Sequence, residues 1–144
     1  ALGQMDSSRL HLVVVGRDAR SVASLCPGIA FTALGSVTPD EMPMVYAAAD
    51  VFVTPSLEDN LPNTIAEAMS VGTPCVGFRT GGIPEMITHL TSGYVAEQCS
   101  AADLASGIGY VLCHPLREAA ARQAARDYNE GRVAERYISI YESL

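Results

Sequence analysis

The chain contains no lysine. Its nine basic residues are all arginine, set against sixteen aspartates and glutamates, for a formal net charge of −7. An acidic chain of this kind argues against a broad nucleic-acid surface, which needs clustered positive groups to neutralise phosphates. Metal and disulfide frameworks are missing as well. The four cysteines (Cys26, Cys75, Cys99 and Cys113) show no CxxC or Cys/His ligand spacing, and His11, His89 and His114 lie far apart in sequence. Cys75 sits in an apolar stretch and reads as a buried filler rather than a nucleophile. No apolar run approaches the roughly 18 residues of a membrane span, and the opening ALGQMDSSRL lacks the basic and apolar regions of a signal peptide. The expectation is a soluble, cytoplasmic protein with neither metal nor cofactor. A simple Rossmann dehydrogenase is excluded too, because no GxGxxG follows the first strand.

What is present is a globular composition, with 49% hydrophobic and 17% charged residues over 144 positions. That suits one domain able to bury roughly two thirds of its unfolded surface. The chain is organised around residues 51–85, which read as strand, polar loop, helix, strand and glycine loop. VFVT at 51–54 is a β-forming run stopped by Pro55. Ile65, Ala68 and Met69 give a helix over 63–69 an apolar face, and Gly72 ends it. PCVGF at 74–78 supplies the next strand. Upstream, LHLVVVG at 10–16 predicts a strand covered on both faces, 18–25 a helix, and 29–34 a second strand closed by Gly35. Thr38, Pro39, Asp40 and Glu41 read as a helix start with Thr38 as N-cap, carrying Met42, Val45, Tyr46 and Ala49 on one side. Residues 93–96 make a small edge strand at best. From Ser100 onward the pattern is helical, broken at His114-Pro115 and at 129–131. The stripe Val133, Tyr137, Ile140, Tyr141 and Leu144 belongs either to the core or to a docking face. Alternating strands and helices predict an α/β fold, a Rossmann-like parallel sheet with helices on both faces. Only four strands are convincing. Because the first residues resemble the tail of a helix feeding a strand, the chain reads as a piece of a longer protein, its first strand missing.

The central loop holds the candidate chemistry. Asp59 lies in the loop and Glu67 about a turn into the following helix; each carboxylate can accept hydrogen bonds from adjacent sugar hydroxyls. Backbone N–H groups around 60–64, at the helix start, are the better seat for phosphate. On spacing alone, helix capping and a solvated surface are the simpler account of Asp59, Asn60 and Glu67. Gly81 and Gly82 fit either a close approach of backbone to a ligand or an ordinary tight turn.

The run AADVFVTPSLEDNLPNTIAEAMSVGTPCVGFRTGGIPEMI resembles the donor-binding, carboxyl-terminal domain of retaining glycosyltransferases of the GT-B fold, family 4 (group 1). The likeness extends over nearly the whole chain, from LVVVG at 12–16 to YISIY at 137–141. It implies that residues 1–144 form the nucleotide-sugar (donor) binding domain of a two-domain hexosyltransferase of polysaccharide biosynthesis. The family's pair of glutamates falls on Asp59 and Glu67, the first implied to contact the donor sugar and the second the ribose. The implied donor-binding set is completed by Asn60, Leu61, Pro62 and Thr64 at the helix start, and by Gly35, Val37 and Thr38 against the base. Glu58 is a substitute for the shorter Asp59. The family's basic loop, with an arginine and a lysine for the diphosphate, has no counterpart here. The implied partners are a nucleotide diphosphate sugar as substrate and a saccharide or lipid-linked acceptor held by a missing amino-terminal domain. Peripheral membrane association of the intact enzyme, self-association of this piece and its inactivity alone complete the expectations. The rivals are a nucleotide-sugar epimerase of the same fold and a non-catalytic interaction module.

Overall fold

The computed structural model describes residues 1–143, without the side chains of Ala23 and Ser24. Leu144, the last member of the terminal stripe, lies outside the described residues. Five parallel strands alternate with helices: β1 (His11–Val15), α1 (Ala19–Ser24), β2 (Ala30–Gly35), α2 (Met42–Ala48), β3 (Phe52–Thr54), α3 (Asn63–Ser70), β4 (Cys75–Phe78), α4 (Ile83–Met86) and β5 (Gly93–Ala96). Three helices follow: α5 (Ala101–Cys113), α6 (Arg117–Asp127) and α7 (Glu130–Glu142). The strands fall into two hydrogen-bonded groups, β1-β2 and β3-β4-β5, with no ladder joining them among the described residues.

The three-stranded sheet carries the core, and its pleat sorts side chains between two helical layers. Cys75 and Val95 point to one face, where they meet Tyr46 of α2, Ile65, Ala68 and Met69 of α3, Ile83 and Met86 of α4, and Ala120 and Ala124 of α6. Val76, Phe78 and Ala96 point to the other, against Leu104, Ile108 and Val111 of α5. Ile65, Ala68 and Met69 are fully buried, as their helical spacing predicts. Cys75 is buried too; its thiol points at the Thr73 and Ile65 carbonyls, and burial pushes its pKa well up.

Several expectations need correction. β5 is not among them: it is the short edge strand expected, paired with β4 from Cys75↔Gly93 to Phe78↔Ala96. β1 is not covered on both faces: Val13 and Val15 remain 43% and 38% exposed, and among the described residues α1 is the helix that packs extensively on this pair. Residues 1–10 form two short 3-10 turns instead of a helix tail. The second helix starts at Met42, one turn later than its Thr38 signal. Thr38 and Glu41 still make a reciprocal cap, with the Thr38 hydroxyl donating to the Glu41 carboxylate at 2.7 Å and the Thr38 carbonyl accepting from the Glu41 N–H at 3.1 Å. No residue of α7 is buried, so its stripe is not core in this chain. No helix among the described residues is long and apolar enough to cross a membrane.

Candidate functional site

The polar loop between β3 and α3 is held by its backbone. The Leu57 carbonyl accepts from the Thr80 hydroxyl at 2.9 Å and from the Gln98 side-chain amide at 3.0 Å, and the Asp59 carbonyl accepts from the Gly82 N–H at 3.3 Å. A Cβ at Gly81 would overlap the Asp59 carbonyl, and one at Gly82 the Asn60 carbonyl. The two glycines therefore let the chain's own loop come close. Carboxyl ends of β3 and β4 and the start of α3 are thus locked into one surface. Open parallel sheets bind ligands at such carboxyl ends.

At the start of α3, Pro62 occupies the cap position without a side-chain cap, and the Ile65 N–H turns back onto the Pro62 carbonyl at 3.0 Å. The N–H groups of Asn60, Leu61, Asn63 and Thr64 meet no acceptor among the described residues. Unpaired donors at the positive end of a helix favour an anion.

Beside them opens a cavity of about 620 Å³, lined by Val37, Pro39, Met42, Pro43, Tyr46, Asn63, Ala66, Glu67, Ser70 and Val71. Its walls come from the turn after β2, from α2 and from α3, so three separated segments build it. Most of the lining is apolar, with Glu67 its one acidic side chain. The Tyr46 hydroxyl donates to Glu67 Oε2 at 3.1 Å. Burial first, and the Glu67 carboxylate second, raise the Tyr46 pKa far above its ordinary value, so the phenol stays a donor. The ring is fixed edge-on to Phe52, centroids 5.4 Å apart, and the Tyr46 carbonyl accepts from the buried Thr73 hydroxyl at 2.6 Å.

Of the residues singled out in the sequence, Glu67 and Val37 meet in this cavity. Thr38 is turned to Glu41, and Gly35 lines a smaller cavity of about 230 Å³ with Arg17, Asp18, Arg20 and Ser21. Asp59 is half-buried and Glu58 exposed; neither carboxylate has an ion pair or hydrogen bond among the described residues. Asn60, Leu61 and Thr64 are exposed at the helix start, while Pro62 is buried beneath them. Sequence reading missed Tyr46 as a site residue, treating it as part of an apolar face. The signal available was its hydroxyl, since a buried tyrosine needs a polar partner.

Comparison with known proteins follows this geometry. A family model described as glycosyl transferases group 1 matches residues 1–114. The sulfoquinovosyl transferase SQD2 of Arabidopsis thaliana is 34% identical over 92 residues, covering 64% of this chain and 18% of that protein. The 2-deoxystreptamine glucosyltransferase of Streptomyces kanamyceticus is 32% identical over 98 residues, 68% of this chain and 25% of that one. Among solved structures, Anabaena Alr3699/HepE in complex with UDP superposes with a TM-score of 0.79 at 20% identity, covering 99% of this chain and 43% of that chain. The chain thus spans a quarter or less of the length of these two curated relatives, and the structural likeness establishes the Rossmann-like half of a GT-B fold.

Proposed function

The chain belongs to the glycosyl transferases of group 1, and on that premise we propose that it is the nucleotide-sugar (donor) binding part of a retaining hexosyltransferase. The observation that carries this reading is the cavity in which Glu67, held by Tyr46, stands beside the uncapped start of α3. An apolar cleft with one carboxylate suits a base and a ribose. The free N–H groups of 60–64 suit the diphosphate that follows. The UDP complex of a protein with the same fold, and the glucosyl transfer named for a curated relative, support a nucleotide diphosphate hexose as the donor.

In this reading Glu67 grips the ribose and Asp59, with Glu58 beside it, the sugar hydroxyls. Val37 lies against the base. These carboxylates act by positioning. The bond from the anomeric carbon to the diphosphate oxygen breaks as the acceptor oxygen bonds from the same face, and the acceptor's proton passes to the departing phosphate oxygen. Helix N–H donors stabilise the charge that develops there. No cationic side chain lines the cavity. In this reading, side-chain neutralisation of the diphosphate and the saccharide or lipid-linked acceptor come from outside this cavity, and the chain alone binds donor weakly and transfers nothing.

Saturation-transfer NMR of this chain against a panel of nucleotide sugars tests the proposal, with Glu67→Ala as control. Binding of one donor class, lost in the variant, is the expected result. Equal signals from both proteins would overturn the assignment of Glu67.

A further inference from the structure

Glu67 has a flexible side chain on an exposed helix position, yet one of its two carboxylate oxygens is already taken. Oε2 accepts the Tyr46 hydroxyl, whereas Oε1 has no partner among the described residues. The restraint comes from a different element, since Tyr46 is on α2 and Glu67 on α3, twenty-one residues apart. Tyr46 is itself tightly packed: 4% exposed, edge-on to Phe52, and anchored at its carbonyl by the Thr73 hydroxyl. A tyrosine has two side-chain torsions and a glutamate three. The rigid partner therefore sets where the mobile one stands.

From this geometry we propose that Tyr46 is a positioning residue that holds Glu67 so that Oε1 alone faces the cavity, making the site selective for a ribose over a deoxyribose. This inference rests on the reading of the cavity as a nucleotide site and adds to it the source of sugar discrimination. A carboxylate oxygen fixed in one place rewards a hydroxyl in one place. A carboxylate free to rotate presents either oxygen over a wider arc, and spends part of each hydrogen bond on its own ordering. Tyr46 also closes the wall between α2 and α3, so the cavity and the orientation of its carboxylate are set by the same side chain. The polar tip thereby gives a purpose to a tyrosine where phenylalanine would pack equally well.

The test is the ratio of affinities for UDP and 2′-deoxy-UDP, measured by ligand-observed NMR titration on the whole chain. The unmodified protein is expected to favour UDP by about tenfold, the scale of one hydrogen bond to a charged group. Tyr46→Phe keeps the ring and its packing against Phe52. It should bring the ratio to within about twofold of unity while leaving the thermal midpoint of the fold essentially in place. Glu67→Gln should also remove the preference. A Tyr46→Phe protein that keeps the full ratio while Glu67→Gln loses it would overturn the positioning role and leave the donor-binding reading standing. Equal binding of UDP and 2′-deoxy-UDP by the unmodified protein would overturn the inference while leaving a nucleotide site standing, and binding of neither nucleotide would overturn both.

Discussion

Residues 11–35 and residues 42–128 are built from the same βαβ plan and end up in different physical states. In the first, β1, α1 and β2 pack on one another, and Ala19 and Ile29 are the buried residues among the described side chains; Val13, Val15, Phe31 and Leu34 remain exposed. In the second, a three-stranded sheet is sandwiched between two clusters of buried apolar residues. β1 holds three β-branched residues and β4 only one, yet β4 is the buried strand. Burial, and with it most of the stability, thus depends on having helices on both faces and not on strand propensity. The polar loop and Glu67 belong to the well-buried region, while Val37 and Gly35 lie where the two regions join.

Substitution should separate the regions most sharply. Ile65→Ala, in the fully buried face of α3, is expected to cost about 3 kcal/mol in a denaturant titration, whereas Val13→Ala, 43% exposed, should cost less than about 1 kcal/mol. Equal losses would mean that β1 is as well packed as α3. Glycine gives the next contrast. Gly82→Ala forces the 58–61 loop off its support and should cost about 2 kcal/mol together with nucleotide binding. Gly16→Ala, with open space around it, meets backbone strain of about 1 kcal/mol and should leave binding intact.

Thiol chemistry offers a smaller but regional readout. Cys26, half-buried between α1 and β2, should react with a thiol reagent under native conditions, and Cys75 only on the timescale of global unfolding. Comparable rates would dissolve the distinction. The smallest effect is on pH dependence. Cys75 and Tyr46 both have native pKa values raised, chiefly by burial, above ordinary values of 9.0 and 10.0. Each contribution is complete below the ordinary value and is lost as pH climbs from there toward the raised one. The thermal midpoint should therefore decline from about pH 9 upward, and Cys75→Ala should remove the earlier part of that decline.

How far the sequence discloses this molecule varies with the range of the interactions involved. Local signals sufficed for β1 to β4, whose apolar runs are bounded by Gly or Pro, for the buried stripe of α3, and for the Ser100 cap of α5, whose hydroxyl accepts from the Asp103 N–H at 3.2 Å. α4 was not visible, because IPEM is a single turn that the contacts around it stabilise. Exposure of β1 could not be read, since it depends on what packs against the strand. The site was half legible. The start of α3 follows from spacing and Glu67 from the family resemblance, but the clamp on the loop comes from Thr80, Gly82 and Gln98, and the partner of Glu67 from Tyr46. None of those pairings leaves a mark within a sequence window.

The contact of Gly81 and Gly82 with the Asp59–Asn60 backbone makes the loop a fixed datum from which its side chains are measured. Reach is then set by side-chain length alone, because the backbone cannot swing inward to compensate. An aspartate at position 59 stops one carbon short of a glutamate, by about 1.5 Å of bond length. Under the proposed donor reading, exchanging the residue at this position resets the depth to which its carboxylate reaches, much as a shim resets a tool against an unmoving stop.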